Sequence, residues 1–344
     1  MSTPHHSWRP GAADREQPLK GTVALVTGAT RGAGRGTACM LGEAGATVYC
    51  TGRSSRSRPN TSSHHYAGRP ETIEETAELV DAAGGAGIAV RVDHTADAEV
   101  AALFERVAAD QGRLDVLVNV LTGPPVWAWE PFWKLAPEKG REMVDTWVWP
   151  HVVTSWHAAR MMVGRGSGLI VEIVEQDAIG YHGQFYFDMF EAALKRSVYA
   201  MAEELGPKGV AAVAVTPGFM RTEAILEGFG ATEATWREVA ETNPRAKQFG
   251  FAGSETPCFV GRAVAALAAD PDVLAKSGGI YGSWTLSEEY GFDDVDGARP
   301  NSGRYMREHF PHLFDVAPNT GLAWKVERVG APKPPRKKRG AKQA

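Results

Sequence analysis

Cysteine is scarce in this chain: three in 344 residues, Cys39, Cys50 and Cys258, far apart and with no CxxC pair. An odd, scattered set excludes a disulfide framework and a structural zinc site, and it fits a reducing, cytoplasmic setting. No stretch reaches the ~18 consecutive apolar residues that cross a bilayer, so no membrane association is expected. The opening segment MSTPHHSWRPGAADREQPLK lacks the apolar stretch of a secretory signal, and residues 1–17 are expected to form a disordered N-terminal segment. Neither sign of charge dominates: 37 Lys and Arg face 41 Asp and Glu, a formal net charge of −4. Six of the basic residues lie in the last 14, APKPPRKKRGAKQA, which reads as a disordered basic tail over 331–344 behind a C-terminal extension at 306–330. The remainder then holds 31 basic and 41 acidic residues, and an acidic body repels a phosphate backbone. No nucleic-acid partner is expected.

Hydrophobic residues make up 43% and charged residues 23%, a balance that can bury a large core. Short β-branched runs alternate with helical patterns. Residues 22–26, 46–50, 88–92, 115–118, 169–174, 210–215 and 280–284 read as buried strands, and 98–111 and 192–205 as amphipathic helices. Continuous apolar strands between helices predict an α/β domain with a doubly wound, seven-stranded parallel sheet covered on both faces. It is expected to fill residues 18–305 as a single domain, with 219–256 inserted after the sixth strand as a lid. Residues 53–70 form a long basic loop before a helix opened by Thr72 and Glu75, spaced as a capping box.

The strongest motif directly follows the first strand: Thr27-Gly28-Ala29-Thr30-Arg31-Gly32-Ala33-Gly34, opening a helix through Cys39 and Leu41. Glycines there permit a tight turn and close approach of backbone to a pyrophosphate, which then faces the positive end of the helix. TGxxxGxG at a first strand resembles the short-chain dehydrogenase/reductase (SDR) superfamily, and the likeness runs over about residues 20–300. The segments SETPCFVGRAVAALAADPDVLAKSGG and EYGFDDVDG resemble a longer SDR branch, the dehydrogenase/reductase member 1 type. The resemblance implies a Rossmann-type fold and a nicotinamide dinucleotide held by Gly28, Thr30, Arg31, Gly32, Ala33 and Gly34. It matches Asp93 to a position that contacts adenine. Asn119 matches the first Asn of an NNAG motif that has otherwise drifted to Val120-Leu121-Thr122-Gly123. Pro217, Gly218 and Thr222 match a PGxxxT loop whose threonine meets the nicotinamide carboxamide. Where an NAD site usually keeps an acid, the second strand ends in Thr51-Gly52-Arg53. With Arg31 in the turn and Arg56 nearby, guanidinium groups suit a 2′-phosphate, so NADP(H) is expected ahead of NAD(H).

SDR reductases move protons with a Ser, the Tyr and Lys of a YxxxK motif, and an Asn on the preceding helix. Glu191-Ala192-Ala193-Leu194 resembles their KAAL and residues 168–173 resemble GxIVNI, and both set one phase. That phase puts Phe187 at the Tyr position, Glu191 at the Lys position, Val174 at the Ser position and Trp147 near the Asn position. Each replacement removes chemistry: phenyl has no proton to give, valine cannot bond a carbonyl, and a carboxylate raises a neighbouring phenol's pKa. Tyr186 is one residue, about 100° of helix, from Phe187. Lys195 stands at i,i+4 from Glu191, a salt-bridge spacing. The region is nonetheless rich in acid–base groups: Glu172, Glu175, Asp177, Tyr181, His182, Tyr186, Asp188 and Glu191, with His151 one turn beyond Trp147. Glu175 and Asp177 follow the fifth strand at the edge where open α/β sheets bind ligands. Glu191, Glu175, Asp177, Tyr186 and His151 are therefore the candidate catalytic residues, against solvated loop carboxylates and a satisfied core histidine.

Six of the ten tryptophans, Trp127, Trp129, Trp133, Trp147, Trp149 and Trp156, fall within 30 residues. They suit a core, a helix pair buried between subunits, or a cleft for a bulky aromatic ligand. Trp127, Trp129 and Trp147, with Val174 and Phe187, are the candidate substrate pocket. Three functions remain open. One is an atypical SDR-fold enzyme that dehydrates, isomerises or cyclises a bulky, secondary-metabolite-type small molecule by acid–base chemistry with NADP(H) bound. Another is an NADP(H) oxidoreductase, a carbonyl reductase or alcohol dehydrogenase, with a reassigned proton donor. The third is a non-catalytic partner protein. The resemblance also implies a homodimer or homotetramer, with helices near 143–162 and 187–205 between subunits.

Overall fold

Alternate residues of β1 (Val23–Val26) enter opposite cores. Ala24 and Val26 pack with Val48, Val118 and Val213 on one side, while Val23 and Leu25 pack with Phe104, Leu117 and Ile170 on the other. That two-sided burial is why the strands read as continuous apolar runs. The computed structural model describes residues 17–59, 68–122, 130–175, 181 and 183–314. Within them β1, β2 (Thr47–Gly52), β3 (Ala86–Arg91), β4 (Val116–Asn119), β5 (Gly168–Ile173), β6 (Val210–Thr216) and β7 (Ile280–Gly282) form one sheet in the order β3-β2-β1-β4-β5-β6-β7. Every adjacent pair is parallel. The order reverses between β1 and β4, and a crevice at the carboxyl edge of such a switch point is where this architecture receives ligands.

The described helices are α1 (Gly32–Glu43), α2 (Ile73–Ala83), α3 (Asp97–Gln111), α4 (Pro137–Met143), α5 (Trp149–Arg165), α6 (Phe185–Leu205), α7 (Glu223–Phe229), α8 (Trp236–Thr242), α9 (Pro244–Gln248), α10 (Pro257–Ala269), α11 (Ser283–Tyr290) and α12 (Ser302–His309). α1 and α10 cover one face of the sheet, α3 and α5 the other. Among the described residues no helix is long and apolar enough to cross a membrane, and the three cysteines are unpaired and buried.

All seven expected strands are present, most with ends shifted by a residue or two. The last is shorter than the sequence suggests: β7 pairs only along Ala214–Thr216, where β6 gives way to Pro217, so Ser283 and Trp284 begin α11 instead. α6 begins at Phe185, ahead of the expected Ala192; the consecutive aromatics Phe185, Tyr186 and Phe187 blur the helical period there. Thr72 caps α2 as expected, its Oγ1 accepting the Glu75 N–H at 3.2 Å. The segment 219–256, between β6 and α10, carries a small core of its own, Trp236, Ala240, Ala246 and Phe251. Buried Arg221 anchors it: its guanidinium lies 3.9 Å from the Trp236 ring centre and pairs with Glu233 at 3.3 Å and Asp296 at 3.1 Å. α12 runs across residue 305, where the domain was expected to end.

Candidate active site

The glycine turn is built so tightly that side chains are excluded. Gly28 has φ of 62°, and a Cβ there would meet the Val120 carbonyl oxygen at 2.5 Å; a Cβ on Gly34 would meet the Gly28 oxygen at 2.2 Å. α1 starts at Gly32 behind an extended Arg31 whose side chain makes no cap. The first amide groups of α1 thus point toward the crevice with the helix's positive end, a cradle suited to a pyrophosphate. The arginines around it are bound to acids. Arg31 pairs with Glu71 at 3.3 Å, Arg69 with the same Glu71 at 2.7 Å, and buried Arg35 with Glu75 at 2.6 Å. Arg56 pairs on the surface with Glu78 at 2.6 Å. Arg53 is exposed at the end of β2, close to Asp93. Burial acts to raise the Asp93 carboxyl, but hydrogen bonds from Thr95 and the charges of Arg53 and Arg91 outweigh it and hold the group below its usual range.

Beneath the switch point lies a buried polar chain. Asn119, at the end of β4, donates through Nδ2 to Ser155 Oγ (2.9 Å) and Glu172 Oε1 (2.8 Å), and Ser155 donates to the same oxygen at 3.1 Å. The other oxygen of Glu172 meets His151 Nδ1 at 2.5 Å, and His151 Nε2 meets the Leu121 carbonyl at 2.9 Å. The Leu121 carbonyl can only accept, so Nε2 carries a proton, and a carboxylate at Nδ1 favours the doubly protonated, charged ring. Burial alone would lower His151; the Glu172 carboxylate, and hydrogen bonds to it and to Leu121, overcome that and raise it. Nearby His94 differs. It sits between Thr51 Oγ1 (2.8 Å) and Thr154 Oγ1 (3.1 Å), and burial pushes it down to about 3, so it is neutral.

α4 leads through a π-helical turn, Val144–Val148, into α5. Pro150 explains the turn: it lacks an N–H and its ring crowds the carbonyl one turn back, and the wider five-residue bond from Trp149 N–H to Val144 O makes room. Trp147 is thereby turned inward, where it packs with Val174 and Phe190 and lies 5.3 Å from Phe187, centre to centre. On α6, Glu191 points at the end of β5. Its Oε2 accepts the Glu175 N–H at 2.8 Å and lies 3.9 Å from Lys195 Nζ, and the whole carboxyl is buried. That burial pushes Glu191 up to about 7, with the Lys195 charge opposing the rise and the Glu175 charge adding to it. Tyr186 faces α4 instead: its ring stacks on Phe190 and leaves no room for a Cβ on Gly140, which would fall 2.5 Å from it.

The loop at Pro217–Thr222 closes the site from the other side. Thr222 caps α7, accepting the Ile225 N–H at 3.3 Å. Gly218 lies on the buried Glu255 carboxyl, which Ser283 bonds at 2.8 Å; burial pushes Glu255 up to about 8 against the hydrogen bonds of Ser283 and the Gly218 backbone. The structure therefore gathers the turn, Thr222, His151, Glu175 and Glu191 along one edge of the sheet. Asn119 is fully buried and bonded inward, and Trp147, Val174 and Phe187 share one packed cluster. Asp177, Trp127 and Trp129 lie outside the described residues. Ser155, Glu223 and Glu255 were not singled out from sequence. Ser155 could have been, since it stands one turn from His151 on the same helix face.

A doubly wound sheet with a glycine-rich first turn defines a dinucleotide-binding class. The short chain dehydrogenase family profile matches residues 22–227, and the chain belongs to that family. The Dehydrogenase/reductase SDR family member 1 proteins of Homo sapiens and Mus musculus are 34% and 33% identical to it over 314 residues, covering 89% of this chain and 92% of theirs. A short chain dehydrogenase structure from Mycobacterium thermoresistibile superposes with a TM-score of 0.65 at 20% identity, covering 83% of this chain and 94% of that one. YwfH, an NADPH dependent reductase involved in bacilysin biosynthesis, does so at 0.60 and 20%, covering 76% and 96%. At that identity both speak for the fold alone.

Proposed function

We propose that this chain is an atypical SDR enzyme in which Glu191 moves a proton on a bulky small molecule while NADP(H) sits at the glycine turn. The observation that carries the proposal is the Glu191 carboxyl, buried at the end of β5 and pushed up to about 7. An acid of that strength is part protonated near neutrality and serves as both general acid and general base. In this reading Phe187, Val174 and Trp147 stand where relatives keep a phenol, a hydroxyl and an amide. Proton transfer then falls to Glu191, with Glu175 at the same strand end and Tyr186 set back against α4. The His151–Glu172 ion pair fixes the floor of the site. The aromatic pair Trp147 and Phe187 favours a flat, bulky substrate for dehydration, isomerisation or cyclisation.

Gly28, Thr30, Arg31, Gly32, Ala33, Gly34, Asp93, Pro217, Gly218 and Thr222 would hold the dinucleotide, with Arg53 toward a 2′-phosphate and Asn119 supporting the turn from below. When bound, the nicotinamide supplies a hydride donor or acceptor. A second reading follows from that: a carbonyl reductase or alcohol dehydrogenase in which Glu191 gives the proton that a Tyr gives elsewhere. The names of the mammalian relatives favour it. Trp149 and Trp156 on α5, each 52% exposed, support burial of that helix between subunits of a homodimer or homotetramer, and three unpaired cysteines suit the cytoplasm. The test titrates the protein with NADPH by fluorescence and then follows NADPH absorbance with a panel of ketones. Binding without consumption, together with turnover of a hydroxy-carbonyl panel that Glu191→Gln abolishes, supports the first reading. Rapid NADPH oxidation that survives Glu191→Gln overturns the role of Glu191 in both.

A further inference from the structure

The positive end of α1 already meets an anion. The Gly32 N–H donates to Glu223 Oε2 at 2.9 Å, and the other carboxylate oxygen lies 3.9 Å from Arg35 Nε. With no cap from Arg31, this carboxylate from α7 serves as the acceptor for the first amide of the helix. It is mostly buried, with the Glu223 side chain 14% exposed. The neighbouring Thr222 methyl comes within 3.3 Å of where a Cβ on Gly32 would stand. One turn along α7, Glu227 is bonded to Arg69, which in turn holds Glu71 beside Arg31. α7 is thus tied across the glycine turn at two charged points.

We propose that Glu223 is an affinity-determining residue, a built-in carboxylate that competes with the pyrophosphate of an incoming dinucleotide for the amino end of α1. The proposal rests on the reading that this turn holds NADP(H). A pyrophosphate arriving there either shares the helix-end field with a fixed negative charge or displaces it, and displacement frees α7 from the turn. Cofactor binding is therefore coupled to α7. Glu223→Gln keeps the shape and a hydrogen-bond acceptor but removes the charge, and Glu223→Ala empties the position.

The test is equilibrium titration of wild type, Glu223→Gln and Glu223→Ala with NADPH by calorimetry, repeated with inorganic pyrophosphate as a probe that touches only the anion seat. Loss of one like charge near the surface, with loss of a helix-end interaction, predicts roughly tenfold tighter binding of both ligands by both variants. Wild-type binding that is unchanged or weakened in the variants overturns the competition and leaves the dinucleotide reading standing. Failure of all three proteins to bind either ligand at millimolar concentration overturns both. If one variant does not fold, the other carries the comparison, since each removes the charge.

Discussion

Replacing Glu191 by glutamine tests whether its carboxyl is a strained acid or an ordinary salt-bridge partner of Lys195. In the unfolded chain a glutamate loses its proton near its usual 4.5, whereas the buried group holds it to about 7. Between those values the folded state binds the extra proton. Stability from this group is therefore full below the unfolded value and lost as the pH rises through the folded one. Each tenfold difference in proton affinity between the two states is worth ~1.4 kcal/mol, so wild type should lose about 2–3 kcal/mol between about pH 5 and 8 that Glu191→Gln keeps. The assay is urea unfolding of both proteins at several pH values, read as the difference in how their stabilities fall with pH. That comparison cancels the other raised acids, Glu255 among them, which both proteins share. Parallel curves would refute the reasoning: Glu191 would then be ionised throughout, and its proton would be unavailable for chemistry near neutrality.

Three further outcomes are expected. Phe187→Tyr with Glu191→Lys should create ketone-dependent NADPH oxidation absent from the parent; no gain in a protein that still binds NADPH would mean that these positions are not the family's phenol and ammonium. Glu172→Ala leaves Asn119, Ser155 and His151 without their shared buried partner and should cost about 3–5 kcal/mol in chemical denaturation; a cost below ~1 kcal/mol would show that this buried chain contributes little. Gly34→Ala puts a methyl 2.2 Å from the Gly28 oxygen and should abolish NADPH binding by calorimetry while a folded core persists by circular dichroism.

The sheet was legible because a strand buried on both faces writes itself as an unbroken apolar run, and β1 and β6 do so. The glycine turn was legible for a similar reason: the backbone tolerates nothing else at Gly28 and Gly34. On α6, the 3.9 Å approach of Lys195 to Glu191 follows the i,i+4 spacing that the sequence shows. Partners brought together across long sequence distances left no such mark. Gly32 and Glu223 are 191 residues apart, and Asn119 and Glu172 are 53 apart, so no local period announces either contact. The start of α6 was hidden by Phe185, Tyr186 and Phe187, whose consecutive bulk blurs any amphipathic stripe.

The ion pair under the switch point also constrains how this chain can change. A descendant that lost Glu172 first would leave His151 to shed its proton and Asn119 and Ser155 without their acceptor; one that lost His151 first would leave an anion with only Asn119 and Ser155 to hold it. Either intermediate is costlier than the state before or after. The pair is a ratchet, entered or abandoned as a unit, and lineages on its two sides should seldom interconvert by single steps.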